Sequence, residues 1–84
     1  MRQCLITFRS VTPAQRAEAL LRRSGIPARI QRTPRWMEEQ GCGYSLRVSC
    51  GQITQAAQLL RANQLSYRKI YLQTEGETLE EMAL

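Results

Sequence analysis

The sequence predicts an α+β domain of element order β-α-β-β-α-β, in which an antiparallel four-stranded sheet carries two helices on one face. Three observations predict it. Short stretches such as "RQCLITF" and "YSLRVS" separate their residues into two sets with period two, which is the signature of a strand with one buried face. Two longer stretches, opening at "SVTPAQ" and "SCGQIT", place aliphatic residues at three- and four-residue spacing, which is helical. The 84 residues suffice for one compact domain whose core is so small that every element must contribute to burial.

In the stretch Arg2 to Phe8, Cys4, Ile6 and Phe8 fall on one side and Leu5 and Thr7 on the other, giving a strand with a fully apolar face. Thr12 then has the position of an N-cap, with Pro13 at the first helical position and Gln15 three residues on, as in a capping box. The helix would use Ala17, Leu20 and Leu21 as its inner face, and Gly25 in "SGIP" would close it in the left-handed conformation. Pro27 to Arg32 reads as a short second strand with Ala28 and Ile30 inward, and "TPRWMEEQGCG" as a long irregular connection without a period.

Tyr44, Leu46 and Val48 alternate with Ser45 and Arg47 to make a third strand. Ser49 and Gln52 have the spacing of a second capping box, opening a helix built on Ile53, Ala56, Leu59 and Leu60, with Asn63 or Gln64 at its C-terminal cap. Arg68 to Gln73 is the fourth strand, with Ile70 and Leu72 inward and Lys69 and Tyr71 outward. "TLEEMAL" reads as a helical turn or two at most. Residues 1–73 therefore form a single domain of the split-βαβ, or ferredoxin-like, arrangement, followed by an acidic tail over 74–84. Its uncovered sheet face would show Leu5, Thr7, Arg29, Ser45, Arg47, Lys69 and Tyr71, a mixed basic surface open to water, a partner or a second copy of the chain.

Composition narrows the chemistry. The chain has no His and no Asp, so a Ser-His-Asp triad and a Cys-His pair are excluded. Its seven carboxylates are Glu18, Glu38, Glu39 and four in the last ten residues, which argues against carboxylate-driven catalysis. The three cysteines, Cys4, Cys42 and Cys50, are odd in number and widely spaced, which does not suggest a disulfide framework or a zinc site. Cys4 is placed as a core thiol by its alternation with Ile6 and Phe8, and Cys50 in the first turn of the second helix. No cofactor and no metal is expected. No apolar run approaches the roughly 18 residues that span a bilayer, and no signal-peptide apolar region opens the chain, so a soluble cytoplasmic protein is expected.

Charge is uneven along the chain. Residues 1–73 hold all twelve basic residues and three acidic ones, net +9, whereas the tail holds −4. Eleven of the twelve cations are arginine, the side chain suited to planar, bidentate recognition of oxyanions.

Cys42 stands between Gly41 and Gly43 at the mouth of the third strand. In the predicted topology the connection that carries it lies at the same edge as the start of the first helix, with Arg9, Arg32, Arg35 and Arg68 at strand ends or in the loop there. Helix N-terminal N–H groups, including those around Thr12, and nearby guanidinium groups lower a thiol's pKa from about 8.5 towards ~3.5–7.5 and so favour the nucleophilic thiolate. Flanking glycines would let another macromolecule approach. Glu38 and Glu39 oppose the shift if they turn inward.

"LITF", "AEALLRRSGIP" and above all the Cys-Gly pair leading into "YSLRV" give a chain that resembles, over residues 4 to 72, a family of small single-domain proteins known as selenium/sulfur (Se/S) carrier-like. The Cys-Gly pair corresponds to Cys42 and Gly43. The resemblance implies a non-enzymatic carrier that holds sulfur or selenium on Cys42, as a persulfide or selenopersulfide, between a donor such as a cysteine desulfurase and an acceptor protein. This chain differs in having Glu-Gln-Gly before the cysteine and an acidic extension.

Two other readings compete. A regulatory or interaction module could dimerise or dock through the open sheet face, leaving Cys42 incidental. An RNA-binding domain of this topology needs stacking aromatics on its exposed central strands, and Leu5, Thr7, Ser45 and Arg47 stand there instead, so nucleic acid is not an expected partner. A membrane partner is not expected either.

Overall fold

The computed structural model describes residues 3–32, 43–73 and 79–82, with only the backbone described for 73 and 79–82. Along the chain run β1 (Gln3–Phe8), α1 (Val11–Arg23), β2 (Ala28–Arg32), β3 (Tyr44–Ser49), a 3-10 turn (Cys50–Gln52), α2 (Ile53–Ala62), β4 (Ile70–Gln73) and β5 (Leu79–Met82). The sheet order is β2-β3-β1-β4-β5, and every neighbouring pair is antiparallel. From β1 to β4 this is the ferredoxin-like βαββαβ arrangement expected from the sequence.

β5 corrects the expectation of a helical turn at "TLEEMAL". A helix of one or two turns is marginal in water. The same backbone groups are better satisfied by pairing with the otherwise open edge of β4, in the register Ile70 with Met82 and Gln73 with Leu79.

Alternation builds the core. Cys4, Ile6 and Phe8 of β1, Leu46 and Val48 of β3 and Ile70 of β4 meet Ala14, Ala17 and Leu21 of α1 and Ile53, Ala56, Ala57 and Leu60 of α2 in one buried cluster. Four alanines on the inner helix faces bring the helices close to the sheet, while each large aliphatic side chain fully buried contributes about 1.5–3 kcal/mol.

Both helices end alike. At α1, Ile26 donates to the Leu21 carbonyl at 2.8 Å and Gly25 to the Arg22 carbonyl at 3.1 Å, with Gly25 at φ +82°. At α2, Leu65 donates to the Leu60 carbonyl at 2.8 Å and Gln64 to the Arg61 carbonyl at 3.0 Å, with Gln64 at φ +59°. These are two Schellman caps; of the two residues expected at the second cap, Gln64 takes the left-handed position.

The helix starts differ from expectation. The helical residues of α1 begin at Val11, so Ser10 is the N-cap and Thr12 and Pro13 are its second and third residues; no side chain caps it. Proline is accommodated there because N–H groups in the first turn have no intrahelical partner to lose. The Thr12–Gln15 capping box is thus not formed. Nor is the one at Ser49 and Gln52, because the chain first tightens into the 3-10 turn and Ser49 makes no side-chain cap bond.

The helix-free sheet face is less open than expected. Leu5 and Thr7 of β1 and Ser45 of β3 are buried, Ser45 fully and with its Oγ lacking a hydrogen-bond partner. β1 is the central strand, and Leu5 has Arg47 and Tyr71 as its cross-strand neighbours, whose long side chains can cover it. Arg29 and Arg47 stay exposed. At the far edge, Glu18 of α1 accepts a hydrogen bond from the Ile30 N–H at 2.8 Å, satisfying an outward-facing group of β2 that would otherwise invite pairing with another strand.

Candidate functional site: a basic cleft at the head of the sheet

Phe8 pairs with Tyr44, and Tyr44 with Arg32, at the last positions of their ladders. The residues just beyond, Arg9 after β1 and Gly43 before β3, therefore leave the sheet at one edge. β4 runs antiparallel to β1, so the segment that enters it arrives at this edge as well. The sequence had placed Arg9, Thr12, Arg32, Arg68 and Gly43 here.

A cleft of about 770 Å³ opens at this edge between the start of α1 and the segment joining α2 to β4; Arg9, Thr12, Pro13 and Arg16 line one side and Gln64 to Lys69 the other. Of the expected residues, Arg9, Thr12 and Arg68 come together in it. Arg32 does not: it lies on the outer strand β2, separated from β1 by β3. Gly43, at the head of β3, is buried. Gly41, Cys42, Arg35, Glu38 and Glu39 lie outside the described residues.

The sequence reading missed Arg16. Thr12 and Arg16 are four apart and so share one face of α1, a spacing that was legible once the helix was read back to Val11. Among the described residues lining the cleft none is acidic, and α1 has no acidic residue in its first turn. Among the described residues the side chains of Arg9, Arg16 and Arg68 form no hydrogen bond or ion pair. The unoccupied N–H groups at the start of α1 add positive potential at the same place.

The wall carrying Arg68 is fixed by an irregularity in the sheet. Thr7 N–H donates to the Lys69 carbonyl at 2.8 Å, and Arg68 N–H donates to the Thr7 carbonyl at 2.7 Å. Lys69 N–H, displaced from that carbonyl, donates instead to Thr7 Oγ1 at 3.0 Å. Two residues thus stand against one, as in a β-bulge, which bends the strand and re-aims side chains. This is why β4 proper starts at Ile70 rather than at Arg68 as expected. Farther along the same wall, Arg61 donates to Tyr67 Oη at 3.0 Å.

Cys4 and Cys50 form a disulfide, with their Cα atoms 5.1 Å apart. This corrects the expectation of two separate thiols. Cys4 is in the core as expected, but the 3-10 turn carries Cys50 back over the start of β1, where Gln3 pairs with Ser49. The bond lies four residues of β1, about 13 Å, from the Phe8 end. Cys42 is the remaining cysteine of the chain.

The fold and this edge define a small ferredoxin-like domain with an arginine-lined cleft at the head of its sheet. The chain belongs to the family described as "Putative Se/S carrier protein-like", whose model matches residues 3–72. No curated protein and no solved structure matches it. Among the described residues no helix is long and apolar enough to cross a membrane.

Proposed function

We propose that the protein is a sulfur or selenium carrier in which Cys42 holds the chalcogen as a persulfide or selenopersulfide between a donor protein, such as a cysteine desulfurase, and an acceptor. The observation that carries the reading is the family match, which spans 3–72 and so includes Cys42 and Gly43. The Cys4–Cys50 disulfide supports it, because it takes the other two sulfurs out of the pool of nucleophiles. Position supports it as well: Cys42 is bonded to Gly43, which enters β3 beside the strand end that leads to Arg9.

In the loading step the Cys42 thiolate attacks the outer sulfur of the donor's persulfide, the donor's S–S bond breaks, and the donor leaves as a thiolate. Delivery repeats the step with Cys42 as the leaving group. Neither transfer needs an acid, base or metal from this chain, consistent with its lack of His and Asp. Guanidinium groups at this edge favour the anionic forms and steer acidic partners towards it. Intact-mass measurement after incubation with a cysteine desulfurase and cysteine tests the proposal. One added sulfur atom on the wild type and none on Cys42→Ser is the expected result; equal addition to both overturns it.

A further inference from the structure

We propose that the cleft between α1 and the α2–β4 segment is a binding site for a phosphate-type oxyanion, inorganic or carried as the phosphoryl end of a small molecule. The inference stands apart from the sulfur-carrier reading, since it uses no property of Cys42.

It begins from charge. Arg9, Arg16 and Arg68 converge on one concavity with no acidic side chain among its described lining residues. Like charges gathered without a counter-charge repel one another, so the arrangement is stabilised when an anion enters. Arg29 and Arg47, cross-strand partners on the helix-free face, are instead exposed on the open sheet and line no part of this concavity.

Geometry then narrows the anion. A guanidinium presents paired N–H donors that match two oxygens of a tetrahedral oxyanion. The Thr12 hydroxyl and the N-terminal N–H groups of α1 add neutral donors to the same wall, which can bond further oxygens of the same anion. Tyr67 and Ser66 supply further hydroxyls on the facing side.

Size says what the oxyanion is attached to. A volume of about 770 Å³ lies within the range of small-molecule pockets, about 300–1,000 Å³, and exceeds what a lone phosphate fills. Pro13, Leu65 and the ring of Tyr67 give the cleft apolar surface, against which an organic body can rest.

Two-dimensional amide NMR of the full chain, titrated at constant ionic strength, tests the site with three probes: inorganic phosphate, pyrophosphate and ribose 5-phosphate. The expected result is saturable shifts of the amides of Val11, Thr12, Tyr67 and Arg68 with each phosphate probe and none with chloride. The tighter of pyrophosphate and ribose 5-phosphate then tells whether the ligand is inorganic or organic. Arg16→Gln, on an exposed helix position, and Arg68→Gln should each weaken binding about tenfold, while Arg29→Gln leaves it within twofold. Shifts that fail to saturate, or an equal loss in Arg29→Gln, overturn the proposal in favour of diffuse charge attraction. Tighter binding of hexaglutamate than of any phosphate probe also overturns it, pointing to an acidic protein surface.

Discussion

The Thr7 hydroxyl and the Lys69 backbone are bonded in both directions, Oγ1 donating to the Lys69 carbonyl at 3.2 Å and accepting from the Lys69 N–H at 3.0 Å. This exchange spans 62 residues and holds the bulge that turns Arg68 into the cleft. Thr7→Val keeps the side chain's shape but leaves the Lys69 N–H without its acceptor in a partly buried setting. A loss of about 1–2 kcal/mol is expected in urea denaturation. If the bulge aims Arg68, the same variant also binds phosphate several-fold more weakly; unchanged phosphate affinity would reduce Thr7 to a purely structural role.

Gln64 and Gly25 occupy the same cap position under the same pair of hydrogen bonds, yet only one is glycine. A left-handed backbone costs a side-chain-bearing residue about 1–2 kcal/mol, part of which glycine gives back through its larger unfolded-state entropy. Gln64→Gly should therefore raise stability by about 0.5–1 kcal/mol, whereas Gly25→Ala lowers it by about 1 kcal/mol. Denaturation midpoints of the two variants check the pair of signs. Gln64 also lines the cleft, so a strained glutamine there is what a contact role would retain. A weaker phosphate response in the stabilised Gln64→Gly variant is the corresponding expectation.

Period and punctuation made the fold legible. Cys4, Ile6 and Phe8 against Leu5 and Thr7, and Tyr44, Leu46 and Val48 against Ser45 and Arg47, determine which strand face meets the helices, and Gly25 marks the end of α1. Tertiary contacts decided what local pattern could not. Thr12 looks like an N-cap because Pro13 follows it, but proline is also tolerated at the third helical position, where its missing N–H costs no intrahelical bond. Arg68 looks like the first residue of a strand because Ile70 and Leu72 alternate after it. The competing acceptor that breaks the ladder, Thr7, lies far away in sequence. Leu5 and Ser45 were placed on the correct face, yet their burial depends on β1 and β3 each lying between two neighbours, a property of strand order. For the site, arginines at strand ends pointed to Arg9, Arg32 and Arg68 at one edge of the sheet; Arg32 shares that edge but not the cleft, because topology alone does not say how far apart two strand ends lie across a sheet.

Odd number and wide spacing hid the disulfide, since 46 residues separate Cys4 from Cys50 and only the register of β1 on β3 brings them together. Closing a loop of that length restricts the unfolded chain by about 4 kcal/mol in the chain-entropy treatment, and about 2–4 kcal/mol is the usual measured range. Cys50→Ser should therefore lower unfolding stability by about 2–4 kcal/mol relative to the oxidised wild type. That gap should close when both proteins are measured with a reductant present. Thiol counting gives an independent reading: in denaturant without reductant the wild type should show one reactive thiol per chain, from Cys42, and three after reduction. Three thiols before reduction would rule out the Cys4–Cys50 bond and leave Cys50 as a second candidate nucleophile. A single thiol that disappears in Cys42→Ser would leave Cys42 as the one sulfur available to carry a chalcogen.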